Sequence, residues 1–220
     1  LSTFALLLAL FLLQDTRSLI KPNKNKRIVS LLEALKVPKL GQLILLSFIV
    51  TVVFASMEST FSLWSERTYN WGPQQNGYIF AFAGVCGVIV QGFFISKLVK
   101  IFGESLLCRI GMLMISLGMI SVALSYMQFH AYLSMALIAF GLGLFMPTIS
   151  TLIVNIVAED RRGWVLGVTQ SSSSLARIIG PALAGIFFEL LGKNSPYIMG
   201  GLLLLIILII FNSSIKQFSK

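Results

Sequence analysis

Six long apolar segments determine the environment in which this chain can fold. They lie at about residues 41–64, 76–96, 105–126, 129–156, 163–191 and 195–212. An α-helix needs roughly 20 apolar residues to cross the hydrocarbon core of a bilayer, and each segment is close to or above that length. Charged residues make up 11% of the chain, against about a quarter of a soluble domain. The sequence therefore predicts an all-α, multi-pass membrane protein with a six-helix transmembrane bundle in a lipid bilayer.

The basic residues predict how this bundle is oriented. The net charge is +9, with 17 Lys and Arg residues against 8 Asp and Glu. Fourteen of the 17 basic residues fall on one side of the predicted bundle, two fall on the other, and Arg177 lies within a helix. Loops rich in Lys and Arg stay in the cytoplasm, so the central linker and the C-terminus are predicted to be cytoplasmic, in a plasma (inner) membrane. Because these charges lie in loops, they do not indicate a nucleic-acid partner.

The segments outside the bundle are polar or short. Residues 1–14 are apolar but too short to cross a bilayer, and we expect them to be the end of a truncated transmembrane helix from a longer sequence. Residues 15–40 form the longest polar stretch, and an apolar stripe within them predicts an interfacial helix in a cytoplasmic linker. The bundle is expected at 41–212 and a cytoplasmic tail at 213–220.

An arginine interrupts the fifth apolar segment, in the stretch "SSSSLARIIGPALAG". A charge at the centre of a membrane helix costs about 2.5–3.5 kcal/mol, so such residues face a bundle interior or a water-filled cavity. On a helical projection Gln170, Ser174, Arg177 and Pro181 share one face. This polar stripe predicts the wall of a solute pathway. The alternative is a structural arginine that binds neighbouring carbonyl groups.

A carboxylate interrupts the first apolar segment, in "FASMESTFSLW". Desolvation disfavours the charged form of a carboxylate, which makes Glu58 a candidate proton carrier. Thr51 lies within about 40° of Glu58 on the projection and is predicted to share its pathway. A solvated carboxylate at the outer mouth is the alternative. Glu58 lies in the outer third of its helix and Arg177 lies deep, so no direct ion pair between them is expected.

Two turns share the same glycine spacing. "VKIFGESLLCRIG" contains Gly103 and Gly111, and "FELLGKNSPYIMG" contains Gly192 and Gly200. One turn is predicted inside and the other outside, as in the three-plus-three inverted repeat of transporter halves. No metal-ligand cluster, phosphate-binding loop or nucleophile–base pair occurs in the sequence, so neither a metal, a cofactor nor an enzymatic activity is predicted.

These features resemble the major facilitator superfamily, specifically the C-terminal half of a twelve-helix transporter, from the end of helix six to helix twelve. The turn "GFFISKLVKIFGE" is similar to the family's cytoplasmic motif G-x-x-x-D-[RK]-x-G-[RK]. The resemblance implies a conformational role for Gly92, Lys97 and Gly103. Ser96 stands where the motif has Asp, and Glu104 replaces its last basic residue.

Two further stretches resemble the drug:proton antiporter branch, which includes the tetracycline-efflux-like proteins. "RRGWVLGVTQSSSSLARIIGPALAG" is similar to that branch's eleventh helix. Its "GPALAG", with Gly180, Pro181 and Gly185, is similar to the antiporter glycine–proline motif. "MESTFSLWSERTYNW" is similar to the tetracycline-efflux-like helix seven, with Glu58 at a matching acidic position.

The resemblance implies a secondary active transporter that moves a small organic solute or drug by alternating access, expected as proton-coupled efflux. Its implied partners are the small-molecule substrate, the proton and an N-terminal six-helix half. Two alternatives stay open: a proton-coupled metabolite importer, and a non-transporting scaffold or receptor with the same fold.

Overall fold

The computed structural model describes the backbone of residues 37–216 and the side chains of residue 37 and residues 39–210. The helices in this range are α1 (Pro38–Tyr69), α2 (Pro73–Ile89), α3 (Ile95–Ala123), α4 (Gln128–Asn155), α5 (Arg162–Leu191) and α6 (Ser195–Lys216). A π-helical turn (Val90–Phe94) joins α2 to α3, and a 3-10 turn (Glu159–Arg161) precedes α5. The described residues contain no strand, so the predicted all-α class is confirmed.

The helices have the length and composition of membrane spans. Within the described part of the chain, four helical stretches are long and apolar enough to cross a bilayer, and a fifth apolar helix, Ser195–Ile210, is shorter. The four stretches are Lys39–Tyr69, Pro73–Ala123, Gln128–Asn155 and Glu159–Leu191. The 51 residues of Pro73–Ala123 would form a helix of about 77 Å if they were straight, far longer than a bilayer is thick. The non-helical backbone of Gly103 divides this stretch into two helices.

The two glycine turns have nearly the same backbone geometry. Gly103 has φ 73° and ψ 160°, and Gly192 has φ 93° and ψ 166°. Only glycine adopts this region without strain. Eight residues later, Gly111 and Gly200 both lie at close helix contacts, where an added Cβ would meet a neighbouring atom at 2.7 Å and 2.9 Å, respectively. The internal repeat seen in the sequence is thus a repeat of turn and packing geometry.

Helix α1 packs against α5, α6 and α4, while α3 packs against α4 and α6 and α2 packs against α4. Helix α5 packs tightly against α1 at Gly180, where an added Cβ atom would lie 2.6 Å from the Val52 carbonyl oxygen. The Ser56 hydroxyl donates a hydrogen bond of 2.9 Å to the Gly180 carbonyl at this crossing. Small residues permit such contacts in membrane bundles, and a polar bond across them adds stability.

Two helices extend beyond the residues predicted to form the transmembrane bundle. Helix α1 begins at Pro38, and proline is well suited to the first turn of a helix. Helix α6 continues to Lys216, past the predicted limit at 212. The predicted truncated helix at 1–14 and the predicted linker up to residue 36 lie outside the described residues.

Candidate functional site: a cavity beside an intramembrane ion pair

A half-open cavity of about 220 Å³ lies between α1, α2 and α4, and we call it the α1–α2–α4 cavity. Its walls are mainly apolar, with large side chains from Phe54, Met57, Phe80, Met135, Ile138 and Leu142. Two polar side chains, Glu58 and Gln91, also line it. An apolar concave surface with a few polar groups is typical of small-molecule sites.

Glu58 forms an ion pair with Arg177, with 3.5 Å between Oε2 and the guanidinium Nη1. The Glu58 side chain is 50% exposed and the Arg177 side chain 59%, so both groups can still reach a third partner. The expectation that these two residues do not form a direct pair is therefore wrong. Among the described residues, Glu58 lines the cavity and Arg177 does not.

The α1–α5 crossing explains why the sequence suggested different depths. The contact between Ser56 and Gly180 places these two residues at one level. Glu58 lies two residues beyond Ser56 and Arg177 three residues before Gly180, which corresponds to offsets of about 3 Å and 4.5 Å along the helices. The long arginine side chain covers this difference. The sequence gives the position of each residue along its own helix, but it does not show where the two helices cross and which residues the crossing brings together.

The other residues predicted on the pathway fall in two places. Gln170 and Ser174 are exposed on α5, as Arg177 is, but they do not line the cavity. The Ser174 hydroxyl donates to the Gln170 carbonyl at 3.0 Å. Thr51 is only 3% exposed, and its hydroxyl donates to the Ser47 carbonyl at 2.8 Å. The structure therefore brings Glu58 to Arg177 but does not bring Thr51 to the cavity.

The residues of the two predicted conformational motifs have different surroundings. Gly92 belongs to the π-helical turn, and Lys97 is exposed near the start of α3. Gly185 is exposed, with nothing within 4 Å of an added Cβ, in contrast to Gly180. Pro181 lies inside α5 and has no N–H to donate to the carbonyl four residues earlier, that of Arg177.

The sequence interpretation missed Gln91. Phe80, Gly84, Gly87 and Gln91 all line the cavity, at spacings of four, three and four residues that keep them on one face of a helix. Gln91 also lies in the π-helical turn, a feature that is frequent at functional sites. A single amide on a face otherwise made of glycine and phenylalanine was the signal that could have identified it.

A second ion pair joins α1 and α5 near their C-terminal ends. Arg67 contacts Glu189 at 3.3 Å, and its guanidinium lies 4.7 Å from the centre of the Phe188 ring. In this pair α1 carries the base and α5 the acid, the reverse of the Glu58–Arg177 pair. Glu189 lies outside the cavity lining and is mainly exposed, which makes it a suitable control for Glu58.

The electrostatic character of the site follows from which charge faces the cavity. Glu58 presents a carboxylate to a mainly apolar space, so the site can attract an organic cation. Arg177, which does not line the cavity, supplies the counter-charge when no cation is bound. Among the described residues, no group of three or more His, Cys, Asp or Glu residues could hold a metal ion.

Comparison with known proteins connects this fold to transporters. Residues 109–215 match the family model described as Major Facilitator Superfamily. Multidrug resistance protein 2 of Bacillus subtilis is 27% identical over 169 residues, which cover 73% of this chain and 41% of that protein. Quinolone resistance protein NorA of Staphylococcus aureus is 25% identical over 150 residues, covering 66% of this chain and 37% of NorA. Solute carrier family 22 member 18 of Rattus norvegicus is 27% identical over 151 residues, with coverages of 67% and 37%.

A solved structure shares the fold. The crystal structure of the human organic anion transporter MFSD10 (TETRAN) superimposes with a TM-score of 0.73 at 21% identity, over 77% of this chain and 40% of that one. The chain spans about two fifths of the length of the relatives that it matches. The chain is therefore similar to the major facilitator superfamily over just under half of its length, and it shares the fold of this solved structure.

Proposed function

We propose that the chain is the C-terminal half of a secondary active transporter that exports apolar organic cations in exchange for protons. The observation that supports this proposal most strongly is the position of Glu58. It lines the α1–α2–α4 cavity, whereas its ion-pair partner Arg177 does not. The multidrug and quinolone resistance proteins among its relatives are consistent with a drug-like solute. The resemblance of α5 to the drug:proton antiporter branch suggests the same direction of transport.

Competition for one carboxylate would couple the two fluxes. In the empty state Arg177 balances the charge of Glu58. Both side chains are about half exposed, so a bound cation can reach the carboxylate and take the place of the arginine. A proton on Glu58 removes the charge that attracts the cation. Solute and proton therefore exclude each other, and alternating access turns this exclusion into exchange.

A second bundle is part of the proposal. Gln170, Ser174 and Arg177 leave a polar stripe exposed on α5, and polar groups of this kind are costly against lipid. An N-terminal six-helix half would cover the stripe and close the cavity. We also infer, from the basic residues in the loops, that the linker and the C-terminus are cytoplasmic in a plasma membrane.

Export of an organic anion is the second candidate function. The 59% exposure of Arg177 would allow a solute carboxylate to replace Glu58 on the guanidinium. The solved structure with the same fold is described as an organic anion transporter. The two candidates differ in which member of the ion pair holds the solute, so the sign of the solute's charge distinguishes them.

Proton movement in inverted vesicles that contain the full-length protein tests the function. With an acidified lumen, tetraphenylphosphonium is expected to accelerate the loss of luminal protons, which a pH-sensitive dye reports. Tetraphenylborate, an anion of the same shape, is the matched control and should have no effect. Acceleration by the anion instead would favour the second candidate. Solute and proton moving in the same direction would indicate an importer, and no proton movement with either probe would indicate a scaffold or receptor.

The same assay tests the need for a second half. Vesicles with the 220-residue chain alone should show no proton movement, because one bundle cannot alternate between two closed ends. Co-expression with the missing half should restore it. Full activity of the chain alone, as a monomer, would contradict the proposed architecture.

A further inference from the structure

The α2–α4 contact places two more polar groups beside the cavity. Gln91, in the π-helical turn that follows α2, and Gly143 on α4 both line it. Val90 packs directly against Gly143, since an added Cβ at Gly143 would lie 2.9 Å from the Val90 Cβ and Cγ1 atoms. The absence of a side chain at Gly143 therefore brings its backbone close to the turn that carries Gln91.

Pro147 makes the backbone of Gly143 unusual. It lies inside α4, four residues after Gly143, and proline has no N–H. The Gly143 carbonyl consequently lacks its regular helical hydrogen-bond partner. A carbonyl group released in this way inside a membrane bundle is tolerated where it lines a cavity, and Gly143 is part of the cavity wall.

We infer that Gln91 and the Gly143 carbonyl form a hydrogen-bonding subsite for the solute, separate from Glu58, which we call the α2–α4 subsite. This inference rests on the proposed function. The carbonyl only accepts hydrogen bonds, and the Gln91 amide can turn its oxygen to the same side. The subsite therefore selects a cation that carries an N–H or O–H donor at a distance from its charge.

The apolar walls explain why this subsite decides selectivity. Phe54, Phe80 and Met135 give any aromatic body a similar apolar surface, and Glu58 attracts any cation. Neither feature distinguishes one organic cation from another. A donor that meets Gln91 and the Gly143 carbonyl gains hydrogen bonds, whereas a cation without a donor leaves both groups unpaired, which is unfavourable in an apolar site.

Two probes separate the subsite from the charge site. Tetraphenylphosphonium has no hydrogen-bond donor, and ethidium carries two aromatic amines in addition to its charge. We expect Gln91→Leu in the full-length protein, reconstituted in lipid nanodiscs, to weaken ethidium binding by about fivefold. Tetraphenylphosphonium binding should change by less than about twofold, because the amide makes no bond to it. Pro147→Ala restores an N–H to the helix, engages the Gly143 carbonyl and should produce the same selective loss.

Matched variants control for general damage. Gln74→Leu removes an exposed amide from α2, outside the cavity lining, and should leave both affinities unchanged. Gly77→Ala adds a methyl group to α2 in open space, whereas Gly143→Ala must displace Val90 and should affect ethidium more than tetraphenylphosphonium.

The outcomes distinguish the subsite from the function on which it rests. If the wild type binds neither probe, the proposed cation function is wrong and the subsite with it. If Glu58→Gln weakens both probes while Gln91→Leu and Pro147→Ala change them equally or not at all, cation binding stands and the α2–α4 subsite is refuted. Selective loss of ethidium in both variants supports the inference.

Discussion

Exchanging the two charges of the membrane ion pair is expected to invert the charge preference of the site. In the double variant Glu58→Arg with Arg177→Glu, the pair can form again with reversed polarity, because the wild-type groups lie 3.5 Å apart. The cavity would then be lined by a guanidinium. Tetraphenylphosphonium binding should be lost, and tetraphenylborate binding should appear, as measured by equilibrium binding to the purified full-length protein.

The single variants show what each charge contributes. Glu58→Gln should abolish cation-driven proton movement and weaken tetraphenylphosphonium binding by about tenfold, since two opposite unit charges about 4 Å apart attract each other by about 1–4 kcal/mol between bulk water and a protein surface. Arg177→Ala leaves the carboxylate without its counter-charge, so cations should bind more tightly and leave more slowly. Glu189→Gln, which removes the acid of the Arg67–Glu189 pair, is the control and should retain both activities. A double variant that still prefers the cation would contradict the placement of Glu58.

Replacing Gly180 by alanine is expected to separate α1 from α5. An added Cβ would lie 2.6 Å from the Val52 carbonyl oxygen and 3.2 Å from the Ser56 amide nitrogen, and neither is the end of a flexible side chain. Such overpacking costs about 1–3 kcal/mol and should lower the thermal unfolding midpoint in detergent by several degrees. Because the contact between Ser56 and Gly180 keeps Glu58 within reach of Arg177, cation-driven proton movement should fall as well.

Gly185→Ala provides the matched control for this prediction. It adds the same methyl group to the same helix, five residues further on, but in open space. Its midpoint should equal or exceed that of the wild type, since alanine favours helix more than glycine does. Equal behaviour of the two variants would show that the contact at Gly180 does not determine the packing of α1 against α5.

The helices could be predicted because each is defined by its own residues. Runs of apolar side chains with few charges mark a membrane helix without reference to any other part of the chain. The break at Gly103 and its counterpart at Gly192 were also visible, since a repeated spacing pointed to them before their positive φ angles were known. Arg177 was identified because a charge inside an apolar segment is unusual in any fold.

Contacts between helices could not be predicted in the same way. The Glu58–Arg177 pair depends on where α1 crosses α5, and the sequence of either helix alone does not contain that information. Thr51 shows the same limit, because a projection gives its direction around α1 but does not reveal that neighbouring helices cover this part of α1. The role of Gln91 depends on α4, where Gly143 admits Val90 and Pro147 changes the backbone.

The pH dependence of cation binding tests most directly the claim that one carboxylate holds either the solute or a proton. Tetraphenylphosphonium affinity would be measured over a series of pH values for the wild type and for Glu58→Gln. If the claim is correct, the wild-type affinity decreases as the pH is lowered, because protons then compete with the cation for the same group, and the variant gives a weak, flat curve. Parallel curves for the two proteins would show that cation and proton do not compete at Glu58 and would contradict the account.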